Sequence, residues 1–206
     1  MTERVLLTKS YPPPPIDRNA ILRYAGTREA SKELEARLDG CITLASHAFS
    51  YRVCWREYPI RRSEDGVLDL TFAKTDSRSL CRHLDGCERT VLFAATVGLE
   101  IDRLVARQNA LSPANALLLN ALGVERVEAL CDAFEAELAE KVAQEGGGIR
   151  SRFSPGYGDL PLELQRDVVA ALDTPRKIGL TLNQSLLLSP SKSVTAIIGI
   201  QQRRNS

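Results

Sequence analysis

Apolar and polar positions follow two periods along this chain, and the switches between them outline its elements. Val5–Leu7 reads as a short strand ahead of a stiff polyproline stretch, Tyr11-Pro12-Pro13-Pro14-Pro15. Residues 1–15 form an N-terminal arm laid against the body, or the prolines act as a plain spacer. Asp17 then precedes Ile21-Leu22-Arg23-Tyr24, a short helix for which Asp17 is the N-cap. Over residues 28–46, Leu34, Leu38, Cys41, Ile42 and Ala45 recur at helical spacing. Tyr51, Val53 and Trp55 alternate with Arg52, Cys54 and Arg56, the pattern of a half-exposed strand. A further strand is expected over 67–72, after the turn Glu64-Asp65-Gly66, and a short helix over 77–84. Residues 90–97 are almost wholly apolar, which predicts a central strand covered on both faces. Gly98 ends it, and Leu99–Gln108 begins a helix.

Ser112-Pro113 is a strong helix start, with serine as cap and proline in the first turn. The helical pattern then runs to Glu145, where three glycines stop it. Residues 162–172 read as a short helix, and two strands follow near the C-terminus. These elements predict an α+β fold: a mostly antiparallel twisted sheet packed with helices, with one long central helix over about 112–145. A single domain over residues 1–206 is expected.

Composition narrows the function classes. The 206 residues are 44% hydrophobic and 26% charged, ordinary values for a soluble globular chain. The net charge of +1 gives no basic field to attract nucleic acid. No apolar run approaches the roughly 20 residues that span a bilayer. The segment MTERVLLTKSYPPPP lacks the apolar core of a secretion signal, so a cytoplasmic location is expected. The five cysteines are odd in number and none forms a Cys-x-x-Cys pair. Cys81 and Cys87 bracket His83, but structural zinc asks for four closely spaced ligands, so buried or half-buried thiols and no metal are expected. The strand over 90–97 is followed by one glycine rather than a cluster, and no acid stands at the distance of a ribose contact, which argues against a dinucleotide-type methyltransferase fold. No Gly-x-Ser-x-Gly turn is present, so a serine hydrolase is unsupported.

The stretch with most chemical content is Ser151-Arg152-Phe153-Ser154-Pro155-Gly156-Tyr157-Gly158-Asp159. A Pro-Gly pair favours a tight turn, and glycine accepts positive φ without steric cost. Arg152 offers a planar fork of donors that suits a carboxylate. Most such turns are only turns, and an arginine there also serves as a plain loop residue. Glu128 falls on the apolar stripe of the long helix with Ala121, Val124 and Cys131. An unpaired carboxylate there is costly and calls for a cationic partner or a ligand amine. Glu135 lies on the same stripe, so periodicity alone does not single out Glu128.

This order of segments resembles the activation domain of cobalamin-dependent methionine synthase, most closely the short, free-standing members of that family. The resemblance rests on the Arg-x-x-Pro-Gly-Tyr turn at 152–157, the helix after it, Ile178-Gly179-Leu180-Thr181-Leu182, and the Ser193-Val194-Thr195 strand preceded by Ser189-Pro190. It implies that Arg152, Pro155, Gly156 and Tyr157 belong to an S-adenosylmethionine site. It implies the same for Glu128, in an Ala-Leu-x-x-x-x-x-Glu-Ala helix. Asp17, in an Ile-Asp pair, would reach the ligand besides capping a helix. Ser193 either contacts the ligand or is simply a sheet residue. Two departures stand out: Gly158 replaces the proline of the long form, and the chain stops soon after Gln202, before that form's further tyrosine. A more open pocket is expected.

What the resemblance implies about function is an accessory role rather than turnover by the chain alone. Its partner would be a cobalamin-binding methionine synthase whose cofactor has oxidised to an inert state. S-adenosylmethionine would supply the methyl group, and flavodoxin or another reductant the electron. The sulfonium is already an activated donor and no proton must move, so positioning and exclusion of water suffice. The alternatives are a module serving another corrinoid methyltransferase, or a non-catalytic small-molecule-binding or interaction protein.

Overall fold

A five-stranded antiparallel sheet carries the rest of the molecule. The computed structural model describes residues 5–27, 31–63 and 65–202. The sheet comprises β1 (Leu7–Ser10), β2 (Arg52–Pro59), β6 (Arg89–Thr96), β10 (Ser193–Gln202) and β7 (Gly147–Ile149), in the order β1-β2-β6-β10-β7. Short ladders join β3 (Arg61–Arg62), β4 (Leu68–Asp69) and β5 (Lys74–Thr75), and β8 (Thr181–Leu182) with β9 (Leu188–Ser189). The helices are α1 (Arg18–Tyr24), α2 (Lys32–Leu44), α3 (Arg78–His83), α4 (Glu100–Leu111), α5 (Pro113–Gln144), α6 (Gln165–Ala171) and α7 (Thr174–Lys177). The fold is α+β with one long helix, as the hydrophobic pattern predicts.

Strand β6 shows why its sequence is apolar throughout. Its side chains alternate between two cores. Val91, Phe93 and Ala95 face a core built with α1, α2, α4 and α5; Leu92 and Ala94 face another that holds Leu80 of α3 and Val168 of α6. All five are fully buried. Phe134 of α5 packs against Phe93 and Trp55, with ring centroids 4.9 and 5.3 Å away, and fixes the long helix over the sheet.

Helix boundaries follow capping chemistry. Asp17, Ser31, Ser77 and Ser112 each accept a backbone N–H from the first turn of α1, α2, α3 and α5 respectively. Gly146, at φ +78°, ends α5. The stretch over 162–172 divides into a 3-10 turn at 162–164 and α6.

Two expectations are corrected. The N-terminal strand is Leu7–Ser10 rather than Val5–Leu7, paired with β2 at the sheet edge. The strand over 67–72 shrinks to Leu68–Asp69: the Asp69 carboxylate accepts the Thr71 N–H at 2.8 Å and Thr71 turns to φ +71°, which takes the chain out of extended geometry. Glu64 of the preceding turn, residues 28–30 of the second helix and residues 1–4 of the arm lie outside the described residues. All five cysteines are free thiols. Among the described residues no helix is long and apolar enough to cross a membrane.

The polyproline stretch is pinned rather than loose. Arg126, 1% exposed, donates to the carbonyls of Pro14 and Pro15 at 2.6 and 2.7 Å. Its charge is met by Glu125, itself 3% exposed, through two hydrogen bonds of 2.5 Å. Burial alone would lower the pKa of Arg126, but the hydrogen bond and charge of Glu125 outweigh it and hold the guanidinium protonated. Removing one partner of such a pair leaves an uncompensated buried charge. Glu125→Ala is therefore expected to lower unfolding stability by about 3–5 kcal/mol in urea denaturation. A loss under about 1 kcal/mol would show that the pair is solvated.

Candidate functional site

The segment 150–153 runs antiparallel beside β10 at the sheet edge. Arg150 N–H donates to the Gly199 carbonyl at 2.8 Å, and Phe153 and Ile197 exchange two backbone hydrogen bonds of 2.9 Å. Phe153 packs into the α3-side core, so alternation sends Arg152 to the other side, against α5. There its guanidinium meets three carboxylates. It donates to Glu128 at 2.6 Å, to Asp132 at 2.8 Å and to Glu135. Glu128, Asp132 and Glu135 lie three and four residues apart, the spacing that stacks side chains on one helix face.

The charge of this cluster is unbalanced. Three carboxylates meet one guanidinium, which leaves a surplus of two negative charges. Burial opposes the charge on Arg152, but hydrogen bonds to Glu135 and Asp132 more than compensate and raise its pKa further. Below it, burial pushes the Cys131 thiol far up, so that side chain stays neutral. The cluster is half open: the side chains of Arg152 and Glu128 are 23% and 36% exposed, while Asp132 is 70% exposed.

The turn after Arg152 is rigid. Gly156 N–H donates to Leu160 O at 2.9 Å, Leu160 N–H returns to Tyr157 O at 3.0 Å, and Pro155 is buried. Gly156 takes φ +90°, which the Pro-Gly pair anticipates. Gly158, at φ +57°, is required by a neighbour: a Cβ there would sit 2.7 Å from Ser79 Oγ and 2.9 Å from Ser79 Cβ. Asp159 then fastens the turn to α3. It accepts from the Ser77 hydroxyl at 2.5 Å and from the N–H groups of Ser79 and Arg78 at 3.0 and 2.9 Å. These donors, the Ser77 hydroxyl foremost, hold its carboxyl well below the usual range. The Tyr157 ring is 58% exposed and meets Phe153 edge-on at 5.9 Å.

The structure therefore brings Arg152 and Glu128 into direct contact; Pro155, Gly156 and Tyr157 follow Arg152 in the chain, with the Tyr157 ring against Phe153. Asp17 touches α5 at Glu125, not at the cluster itself. Its carboxylate caps α1, accepting from Ala20 N–H at 3.0 Å, while its own N–H donates to Glu125 at 3.0 Å. Glu125 precedes Glu128 by about one helical turn. Ser193 is not brought to this cluster. Its hydroxyl donates to Thr96 at 2.8 Å, and it starts β10 four residues before Ile197, about 13 Å along the strand. Its parity with Ile197 puts it on the face away from α5.

Sequence reasoning missed Asp132 as a partner of Arg152, and missed the Glu125–Arg126 pair. The signal was present in the 3-4-3 spacing of Glu125, Glu128, Asp132 and Glu135, which only a helix turns into a single acidic ridge. His83 Nε2 donates to the Ser151 carbonyl at 2.7 Å, and among the described residues no group of three or more His, Cys, Asp or Glu is placed to hold a metal ion.

No protein-family profile and no curated protein matches this chain. Among solved structures, the MetH reactivation domain bound to AdoHcy is similar, with a TM-score of 0.72 and 16% identity over 99% of this chain and 81% of that one. The shared fold spans the antiparallel sheet, its packed helices and the long α5 of this chain. The chain has the fold of the MetH reactivation domain.

Proposed function

We propose that this chain binds S-adenosylmethionine and supports the reductive remethylation of the cobalamin held by a partner methionine synthase. The observation that carries the reading is the Arg152–Glu128 contact on a domain of this fold. The similar reactivation domain was solved with AdoHcy, which differs from S-adenosylmethionine by the transferred methyl group and its charge.

The residues present fit such a ligand. Its carboxylate matches the fork of Arg152, and its ammonium and sulfonium match the surplus acid of Glu128, Asp132 and Glu135. The carboxylates already fix the guanidinium, so little rotamer entropy is lost on binding. The exposed ring of Tyr157 offers a stacking surface for the adenine, and Gly156 lets the backbone approach closely. Asp17 sits at the far end of the acidic ridge, where its free carboxylate oxygen can take a hydroxyl or amine of the ligand. Ser193 is left out, because its hydroxyl is engaged on the other face.

S-adenosylmethionine, when bound, supplies an activated methyl group. What this chain contributes is placement: it grips the amino-acid end of the ligand and leaves the sulfonium toward the open side of the cluster. The cobalamin, and flavodoxin or another reductant, would come from partner proteins. An assay supplies the test of the role. A methionine synthase lacking its own reactivation region, with oxidised cobalamin, a reductant and S-adenosylmethionine, should regain activity only when this chain is added.

Two expectations concern the site. Arg152→Ala should weaken AdoHcy binding about ten- to a hundredfold by calorimetry, the worth of a charge-assisted hydrogen bond of roughly 1.5–3 kcal/mol. Glu128→Gln keeps the volume and removes one charge, and should weaken S-adenosylmethionine binding about tenfold even if the alanine variant fails to fold. Unchanged affinity in both would place the ligand elsewhere. The surplus negative charge further predicts that S-adenosylmethionine, one positive charge richer, binds a few-fold tighter than AdoHcy at low salt. That preference should shrink at about 0.5 M salt as the charges are screened. A preference for AdoHcy at low salt would contradict the assigned charge balance.

A further inference from the structure

The strand edge that offers Arg152 to α5 presents a surface of opposite charge on its other side. Between α3 and residues 149–153 lies a shallow depression, open to solvent and about 630 Å³ in volume, lined by Ser79, Arg82, His83, Arg150, Ser151 and Phe153. Two guanidinium groups, an imidazole and two hydroxyls face one aromatic ring, and no carboxylate side chain lines the space. The neighbouring cavity of about 780 Å³ differs, since Asp85 and Glu88 there oppose Arg62.

We propose that this depression binds a small phosphate ester, the phosphate held between Arg82 and Arg150 and the organic part resting on Phe153. The inference is independent of the S-adenosylmethionine reading.

Four observations support it. First, Arg150 is held in place before any ligand arrives. Its N–H is bonded to Gly199, its Nη2 donates to the Asp85 carbonyl at 3.3 Å, and its stem crosses Gly199, where a Cβ would lie 3.3 Å from Arg150 Cγ. The Asp85 contact leaves other N–H groups of the fork to donate. Second, Arg82 is exposed at the rim and makes no side-chain hydrogen bond or ion pair among the described residues, so its guanidinium is free to meet an anion. Third, Asp159, the carboxylate beside Ser79, keeps its charge but does not line the depression: it is turned onto Ser77 and the N–H groups of Arg78 and Ser79. Fourth, His83 donates Nε2–H to the Ser151 carbonyl at 2.7 Å, and its ring lies 5.0 Å from Phe153, so imidazole and phenyl form one ordered wall.

The donor count favours phosphate over carboxylate. A phosphate monoester has three terminal oxygens, which two arginine forks and a serine hydroxyl can share, whereas a carboxylate offers two. The ring beside the cations favours an ester with a flat apolar part over the bare ion.

Calorimetric titration of the full chain with phenyl phosphate, inorganic phosphate and phenol tests this. Phenyl phosphate is expected to bind one to one, inorganic phosphate more weakly and phenol not at all. Arg82→Ala, at an exposed position, should weaken phenyl phosphate binding at least tenfold. It should leave AdoHcy binding unchanged. Arg150→Ala should act in the same direction. Equal binding of inorganic and phenyl phosphate would overturn the ester and assign the depression to the free ion. No binding of either at millimolar concentration would overturn the site, as would affinity unchanged in Arg82→Ala. So would loss of phenyl phosphate binding in Arg152→Ala with none in Arg82→Ala, since that would move the anion to the other side of the edge.

Discussion

A long helix that carries acids along a packed face has to find cations for them, and in this protein that requirement organises the structure. Helix α5 bears Glu125, Glu128, Asp132 and Glu135 on one ridge. At Glu125 the surroundings are dry, and the adjacent Arg126 supplies the charge while reaching the carbonyls of Pro14 and Pro15. At the other three the cation comes from far along the chain, as Arg152. Each neutralisation fastens a distant segment. The N-terminal arm is held through the first, and the sheet edge after α5 through the second. Buried ion pairs bring little net stability by themselves. Their consequence here is placement, since each pairing ties a distant segment to α5.

The two ends of the ridge differ in solvation, and that difference separates a closed structural pair from the half-open cluster proposed as the site. The Glu125–Arg126 pair is closed to water and satisfied by backbone carbonyls. The Arg152 cluster is partly open and over-supplied with acid. A surplus of two negative charges next to an ordered guanidinium is unfavourable without a counter-charge, and a zwitterionic ligand with an extra cation relieves it.

One extended segment, residues 149–153, separates two chemistries. Strand alternation sends Arg152 toward an acidic ridge and Phe153 toward a basic recess beside α3. Gly199 permits this crowding, because a Cβ on it would lie 2.6 Å from Cys87 Sγ and 2.8 Å from Leu84 Cδ2. Asp159 and Gly158 then lock the following turn onto α3, so both surfaces are referred to the same rigid edge.

Local chemistry decided much of this without tertiary help. Ser112-Pro113 and the glycines at 146–148 bounded α5, Asp17 and Ser77 capped their helices, and the apolar run of β6 required a strand covered on both faces. These features are legible because caps, glycines and periodicity act within a few residues. The strand expected over 67–72 failed for a reason equally local, the Asp69 carboxylate drawing Thr71 into a turn, but one that propensity does not weigh. The pairing of Arg152 with Glu128 could be guessed from the resemblance alone. That Asp132 and Glu135 join it, that Ser193 faces elsewhere, and that Arg82 and Arg150 flank a recess free of acid were settled only by the fold. Those facts depend on contacts between residues tens of positions apart, brought together by sheet register and helix packing, and no spacing in a linear sequence records them.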